Sequence, residues 1–161
     1  MIYHRCYHGD DRRYLIHDIA LQSDPVYEFL FDSRVESITT TDHGIPIPDE
    51  KPDKISGELW NILKEVYTTH SKLLQLMEDH ETIFFVGGIL ENCVANSAYY
   101  IRNYSNNDKR LYYIPELSVS SNDEELKRVK ELLSKEEIHP IKCDEAIKIL
   151  QDTVQLNLQN A

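Results

Sequence analysis

The sequence predicts an α/β fold, a doubly wound and mostly parallel sheet with helices on both faces. Short β-branched and aromatic runs alternate with longer segments of helical period along most of the chain. One of these runs, residues 82–87, is apolar almost throughout, which is typical of a strand buried on both faces of a parallel sheet. Parallel strands need crossover connections, and the helical segments between the predicted strands provide them.

The first half of the chain supplies two predicted strands, residues 14–19 and 35–41, with a short helix candidate between them at residues 25–31. Residues 44–52 contain prolines and predict a loop. Two helical patterns follow, the first beginning at Ser56. Their apolar positions recur at helical spacing, at Leu59, Ile62, Leu63 and Val66 in the first and at Leu73, Leu74, Leu76 and Met77 in the second.

The second half continues the alternation. After the strand at 82–87, a glycine pair leads into a helix predicted over residues 91–104. Residues 110–114 read as a strand that Pro115 ends, because proline lacks the N–H group that a strand donates to its neighbour.

The remaining elements complete the alternation. Residues 123–133 form an amphipathic pattern preceded by Asn122, a favourable N-cap, and containing acids in the first turn. Residues 138–143 contain Pro140, which favours an edge strand. A last helix begins at Asp144.

Length and composition indicate one domain, residues 1–161, without a repeat or a low-complexity linker. The net charge is −11, with 28 acidic against 17 basic residues, which argues against nucleic-acid binding. No apolar run has the length of a signal peptide or a membrane span, so we expect no membrane partner. The three cysteines are widely spaced and form no CxxC pair, which indicates reduced thiols in the cytoplasm rather than disulfides or a zinc site.

Ligands of doubly wound sheets bind beyond the carboxyl ends of the strands, which draws attention to four segments: those around Asp18 and Asp42-His43, Gly87 to Cys93, and Pro115 to Ser121. A thiol at a helix N-terminus is stabilised as thiolate by the helix dipole and by unpaired amide groups. The same amides, near Asn92 and Cys93, are suited to an oxyanion, and Gly87 and Gly88 allow a tight turn with close substrate approach. The alternative is that Cys93 is a small buried residue at a contact between helix and sheet.

The arrangement of Gly87, Cys93-Val94 and Ser97-Ala98 resembles the nucleophile turn of the isochorismatase-like cysteine hydrolases, which include the nicotinamidases. The resemblance is best from Thr82 to about Ile114. It implies an isochorismatase-like, Rossmann-like sheet and the hydrolysis of an amide, imide or vinyl ether by a cysteine nucleophile, with an Asp and a Lys completing the triad.

The resemblance assigns the Asp to Asp18 and the Lys to Lys64. Asp18 has the expected setting at the end of a strand, although Ala20 stands where the family has Gln. It would take the thiol proton and pass it to the leaving group; alternatively it caps a turn. Lys64 precedes an aromatic and a hydroxylic residue, as in the family, and would help to hold the thiolate. Its position in a predicted helix favours the alternative of a solvated lysine.

Asp42 and His43 lie where nicotinamidase-type relatives carry metal ligands. Because neighbouring residues of an extended chain point in opposite directions, the pair suits a metal poorly, and we expect no metal and no other cofactor. The pair is otherwise a turn ending at Gly44.

Three functional hypotheses remain. In the first, the chain is a cysteine hydrolase acting on a small molecule, with Cys93 as nucleophile and with Gly87, Gly88 and Asn92 in contact with substrate. Glu91 would either contact the substrate or cap the helix. In the second, it is a binding or regulatory protein of the same fold that has lost catalysis. In the third, it is an unrelated doubly wound domain that binds a nucleotide. A homo-oligomer is compatible with the ten tyrosines in each hypothesis.

Overall fold

The computed structural model describes residues 2–6, 36–41, 44–105 and 108–159, and gives side chains within these ranges from residue 40 to residue 152. The strand and helix predicted at 14–19 and 25–31 lie outside the described residues. The chain forms two compact units, Met1–Leu73 and Leu74–Ala161.

The first unit contains two parallel strands, β1 (Ile2–Cys6) and β2 (Glu36–Thr40), with Ile2 opposite Glu36. Strand β2 confirms the prediction for residues 35–41. The helix α1 (Gly57–Val66) begins where predicted, because the Ser56 hydroxyl accepts a hydrogen bond from the Leu59 amide at 3.2 Å. Its partly apolar surface is buried chiefly at Trp60.

The helix α2 (His70–Glu78) follows a loop that is fixed by two polar contacts. Ile47 and Thr69 form an isolated parallel bridge. Asp49 accepts hydrogen bonds from the Ser71 amide (3.0 Å) and hydroxyl (2.7 Å), which satisfies an otherwise unpaired donor in the first turn of α2. Residues of the predicted loop at 44–52 therefore stabilise the first turn of α2.

The second unit is a three-stranded parallel sheet in the order β3 (Thr82–Gly88), β4 (Arg110–Val119) and β5 (Ile138–Pro140). Helix α3 (Ala95–Tyr104) connects β3 to β4, and α4 (Asp123–Lys135) connects β4 to β5. Helix α5 (Cys143–Gln159) follows β5. The predicted α/β class with a parallel sheet is confirmed, as is the edge position of β5.

The helices pack on this sheet through small and branched side chains. Helices α3 and α4 contact each other and both contact β5, whereas α5 contacts β4. The core of the unit is made of side chains at most 2% exposed: Ala98, Ile101, Leu111, Tyr113, Leu133, Ile138 and Ala146.

Several boundaries differ from the sequence prediction. Strand β5 ends at Pro140 and not at residue 143, and Cys143 already belongs to α5. Pro115 does not end β4, which continues to Val119. The pairing with β3 is instead interrupted, from Phe85 opposite Tyr113 to Gly87 opposite Ser118, so the missing N–H group of Pro115 falls within the interruption. The helix predicted from residue 91 begins with a separate π-helical turn, Leu90–Val94, before α3. Within the described residues, no helix has the length and apolar character needed to cross a membrane.

Candidate active site around Cys93

Cys93 lies in the turn that joins β3 to α3. Strand β3 ends in Gly87 and Gly88, and the π-helical turn Leu90–Val94 holds Cys93 as its fourth residue. Gly87 has a φ of 111°, a backbone region that residues with a Cβ rarely adopt. The peptide bond between Gly88 and Ile89 is cis. Glycine was predicted to be needed in this turn, and at Gly87 the reason is the positive φ.

The turn is closed by one hydrogen bond that spans three residues and one that spans five, instead of the four-residue bonds of an α-helix. The Ile89 carbonyl accepts from the Asn92 amide (3.1 Å) and from the Val94 amide (3.3 Å). Leu90 and Val94 are buried, whereas Cys93 is half-buried. The backbone is therefore held by packing on either side of a thiol that retains access to solvent.

The strand next to the turn also restricts its shape. Gly88 lies opposite Val119 in the sheet, and a Cβ on Gly88 would come 3.4 Å from the Val119 Cβ. An added Cβ would thus be in ordinary van der Waals contact with Val119, and the distance alone does not require glycine at this position.

Glu91 is the buried charged group of this turn, with 7% of its surface exposed. Its Oε1 accepts three hydrogen bonds, from the Ser121 amide (2.6 Å), the Ser121 hydroxyl (2.8 Å) and the Asn122 amide (2.9 Å). Its Oε2 is buried and has no hydrogen-bond partner among the described residues. The carboxylate therefore joins the loop after β3 to the loop after β4.

The surroundings of Glu91 favour its charged form. Burial by itself raises the pKa of Glu91, but the polar groups around its carboxylate, its own amide together with Ser121 and Ser120, outweigh this and lower the pKa to about 2. The N-terminus of α4, which begins directly after Asn122, adds a favourable dipole. Glu91 is thus an anion at neutral pH.

The other residues predicted for the site are distributed as follows. The Asn92 side chain accepts a hydrogen bond from the Asn96 amide group at 3.1 Å, and its backbone amide donates to Ile89. Lys64 belongs to the first unit, in the last turn of α1, and its side chain is exposed. Asp18, Asp42 and His43 lie outside the described residues. Among the described side chains, no group of three His, Cys, Asp or Glu residues is placed to hold a metal ion.

The contribution of Ser121 was not predicted from the sequence. A signal was present, because the loop after a strand that neighbours β3 must lie near the loop that follows β3 itself. Nothing local, however, marks Ser121 as the partner of a glutamate 30 positions away. The asparagine beside it was predicted only as the N-cap of α4, which it is: its Oδ1 accepts from the amides of Glu124 and Glu125.

The arrangement combines a solvent-accessible thiol with the start of a helix. The half-buried thiol lies in a turn whose backbone is fixed from two sides, and a Cβ added at Gly87 would meet no atom within 4 Å. Amide groups near Cys93 are of the type that stabilises an oxyanion, although the Asn92 amide would first have to exchange its bond to Ile89.

Comparisons with known proteins give the following. No family model matches the chain, and no curated protein matches its sequence. The structure is similar to that of the yeast nicotinamidase Pnc1p, with 18% identity, a TM-score of 0.48, and coverage of 72% of this chain and 50% of that one. It is also similar to the pyrazinamidase of Pyrococcus horikoshii, solved in complex with zinc, with 16% identity, a TM-score of 0.41, and coverage of 68% and 52%. The chain thus spans about half the length of both.

Proposed function

We propose that the chain is a cysteine-dependent hydrolase of a small amide, imide or vinyl-ether substrate, with Cys93 as nucleophile. The observation that supports this most directly is the position of the thiol, half-buried in the glycine-containing turn at the carboxyl end of a parallel strand. This is where doubly wound sheets bind ligands.

For an amide, the reaction would proceed in two steps. The Cys93 thiolate attacks the carbonyl carbon, the carbonyl oxygen becomes an oxyanion near the amides of the turn, and the C–N bond then breaks. Asp18, having taken the thiol proton, returns it to the departing amine. Water then attacks the thioester, and the acid product leaves with the thiol restored. Lys64 would stabilise the thiolate through its charge.

Within this proposal, Gly87 and Gly88 leave room for the substrate, which lies against the side of the turn that carries Glu91 and Asn92. The substrate is a small molecule, and no cofactor is required by the chemistry. The wide spacing of the cysteines supports a reducing, cytoplasmic setting, and the tyrosine content is compatible with a homo-oligomer.

The experiment that tests the proposal is the pH dependence of Cys93 alkylation in the folded protein. Peptide mass spectrometry separates Cys93 from Cys143, which is half-buried at the start of α5 and serves as an internal reference. Cys93→Ser is the blank. We expect a Cys93 midpoint well below the value of about 8.5 for an ordinary thiol.

A panel of small amides then tests turnover, with Asp18→Asn and Lys64→Met as variants that remove each proposed partner. An ordinary midpoint at Cys93 together with no hydrolysis of any amide would refute the proposal.

A second function, a non-catalytic binding protein of the same fold, is favoured by one observation. The Lys64 side chain is exposed in the last turn of α1, where a cation also stabilises the helix end. This function predicts that Lys64→Met leaves Cys93 alkylation unchanged at every pH, whereas the hydrolase predicts a higher midpoint.

A further inference from the structure

Glu91 is the charged group of the Cys93 turn, but its contacts are directed to another part of the unit. All three donors to its Oε1 come from Ser121 and Asn122, directly before α4. A carboxylate oxygen with three donors at 2.6–2.9 Å makes charge-assisted hydrogen bonds, which are stronger than those between neutral groups. The bonds thus connect two loops that the chain itself joins only through α3 and β4.

These bonds act on the same turn that contains the thiol. Glu91 and Cys93 are two positions apart within Leu90–Val94, a turn of five residues. Leu90 and Val94 anchor its two ends by burial, and Glu91 fixes it from the side of α4. Without the carboxylate, the turn keeps its apolar anchors but loses the polar contacts that fix its rotation relative to the sheet.

We propose that Glu91 is a positioning residue, which holds the Cys93 turn against the N-terminus of α4 through Oε1. Its effect on reactivity rests on the proposed function, because it concerns the orientation of the same thiol. The sequence suggested that Glu91 contacts substrate or caps the helix; in the positioning role its Oε1 is engaged by Ser121 and Asn122.

The variants separate the possible roles of the side chain. Glu91→Ala removes all three bonds. Glu91→Gln retains an oxygen acceptor but loses the charge, and Ser121→Ala removes one of the three donors. Glu116→Ala is the matched control, since the Glu116 carboxylate accepts a hydrogen bond from the Cys143 amide (3.0 Å) at the start of α5.

Two measurements are made on each variant. Amide hydrogen exchange reports whether residues 90–94 remain held. The pH profile of alkylation, with Cys93 and Cys143 followed in the same sample, reports the consequence for the thiol.

We expect Glu91→Ala to speed exchange in the turn. Loss of the negative charge by itself favours the thiolate, but the loss of the thiol's orientation at the helix start should outweigh it and move the Cys93 midpoint toward about 8.5, which lowers its alkylation rate at pH 7 by about tenfold. Glu91→Gln and Ser121→Ala should fall between Glu91→Ala and the wild type. Cys143 should keep its rate in all three, and Glu116→Ala should leave Cys93 unchanged.

The outcomes are distinguishable. If Glu91→Ala does not fold, Glu91→Gln and Ser121→Ala decide, and wild-type exchange and alkylation at Cys93 in both would overturn the positioning role. An ordinary midpoint in the wild-type protein refutes the hydrolase proposal instead, and hydrogen exchange alone then decides whether Glu91 holds the turn. Equal changes at Cys93 and Cys143 in the two milder variants would indicate general destabilisation and would also overturn it.

Discussion

Replacing Lys109 by Met should lower the free energy of unfolding of the second unit by more than the same replacement at an exposed lysine would. Lys109 is 8% exposed, and its ammonium group donates to the carbonyl oxygens of Met77 (2.7 Å), Glu78 (3.1 Å) and His80 (2.9 Å). These carbonyls belong to the end of α2 and the turn after it, where a cation is favourable and where helix carbonyls lack partners within the helix. Met retains the length of the side chain and removes the charge and all three donors.

The magnitude follows from the fate of the three carbonyls. A hydrogen bond to a charged group contributes roughly 1.5–3 kcal/mol, so three would suggest well over 4 kcal/mol. The bonds to Glu78 and His80 are only partly buried, and water can replace the ammonium there, whereas the bond to Met77 is buried. The variant is also spared the cost of burying a charge. We therefore expect a loss of about 2–3 kcal/mol in the free energy of unfolding.

Urea unfolding followed by circular dichroism measures this loss. With a slope of roughly 2 kcal/mol per molar urea, the midpoint should fall by about 1 M or more. Lys130→Met, in the exposed surface of α4, is the control and should change stability by less than about 0.5 kcal/mol. If the two variants unfold at the same urea concentration, the three carbonyl contacts do not contribute as reasoned.

Two further predictions concern the Cys93 turn and its neighbours. Gly87→Ala should lower the free energy of unfolding by about 1–3 kcal/mol, because a residue with a Cβ is strained at a φ of 111° even though the added Cβ meets no atom within 4 Å. Gly57→Ala is the control: its Cβ is equally unobstructed, but it lies at the start of α1, so this variant should be neutral or stabilising by up to about 1 kcal/mol. Equal effects of the two alanines in urea unfolding would contradict the backbone argument. Since the pKa of Glu91 is lowered from 4.5 to about 2 in the folded state, its contribution to stability is present above pH 4.5 and is lost as the pH falls toward 2. Thermal unfolding between pH 6 and pH 2.5 should therefore show a shallower acid decline for Glu91→Gln than for the wild type, and parallel curves would speak against the lowered pKa.

The sequence is most informative where a single local pattern decides the structure. The apolar run at residues 82–87 and the amphipathic pattern after Asn122 correspond closely in extent to β3 and α4, because apolar runs, helix period and capping are all local. The predicted burial of β3 on both faces is not observed among the described residues, since the strand is mostly half-buried and Val86 is 50% exposed. Strand β1 was not predicted, since its five residues are defined by pairing with β2 and not by an apolar pattern of their own.

The candidate site was predictable only in part. The position of Cys93 after a strand and the need for Gly87 follow from the sequence, whereas the π-helical turn does not, because hydrophobic period cannot distinguish it from the first turn of an α-helix. The three bonds of Glu91 depend on tertiary proximity between loops, which a single sequence does not encode visibly. The prediction that Pro115 ends the strand was wrong for a related reason. A proline ends a strand only where a neighbouring strand needs the N–H group that it lacks.

The interruption of pairing at Pro115 has a dynamic consequence. It divides the β3–β4 ladder into two blocks, one from Thr82 opposite Arg110 to Phe85 opposite Tyr113, and a shorter one at Gly87 and Gly88. The first block includes Leu111 and Tyr113, which are almost fully buried, whereas the second ends at Val119, which is 66% exposed. The second block can therefore open without disturbing the core, as a separate unit of low local stability. The strand end next to Cys93 is thus held less firmly than the first block of the sheet, and its amides should exchange faster.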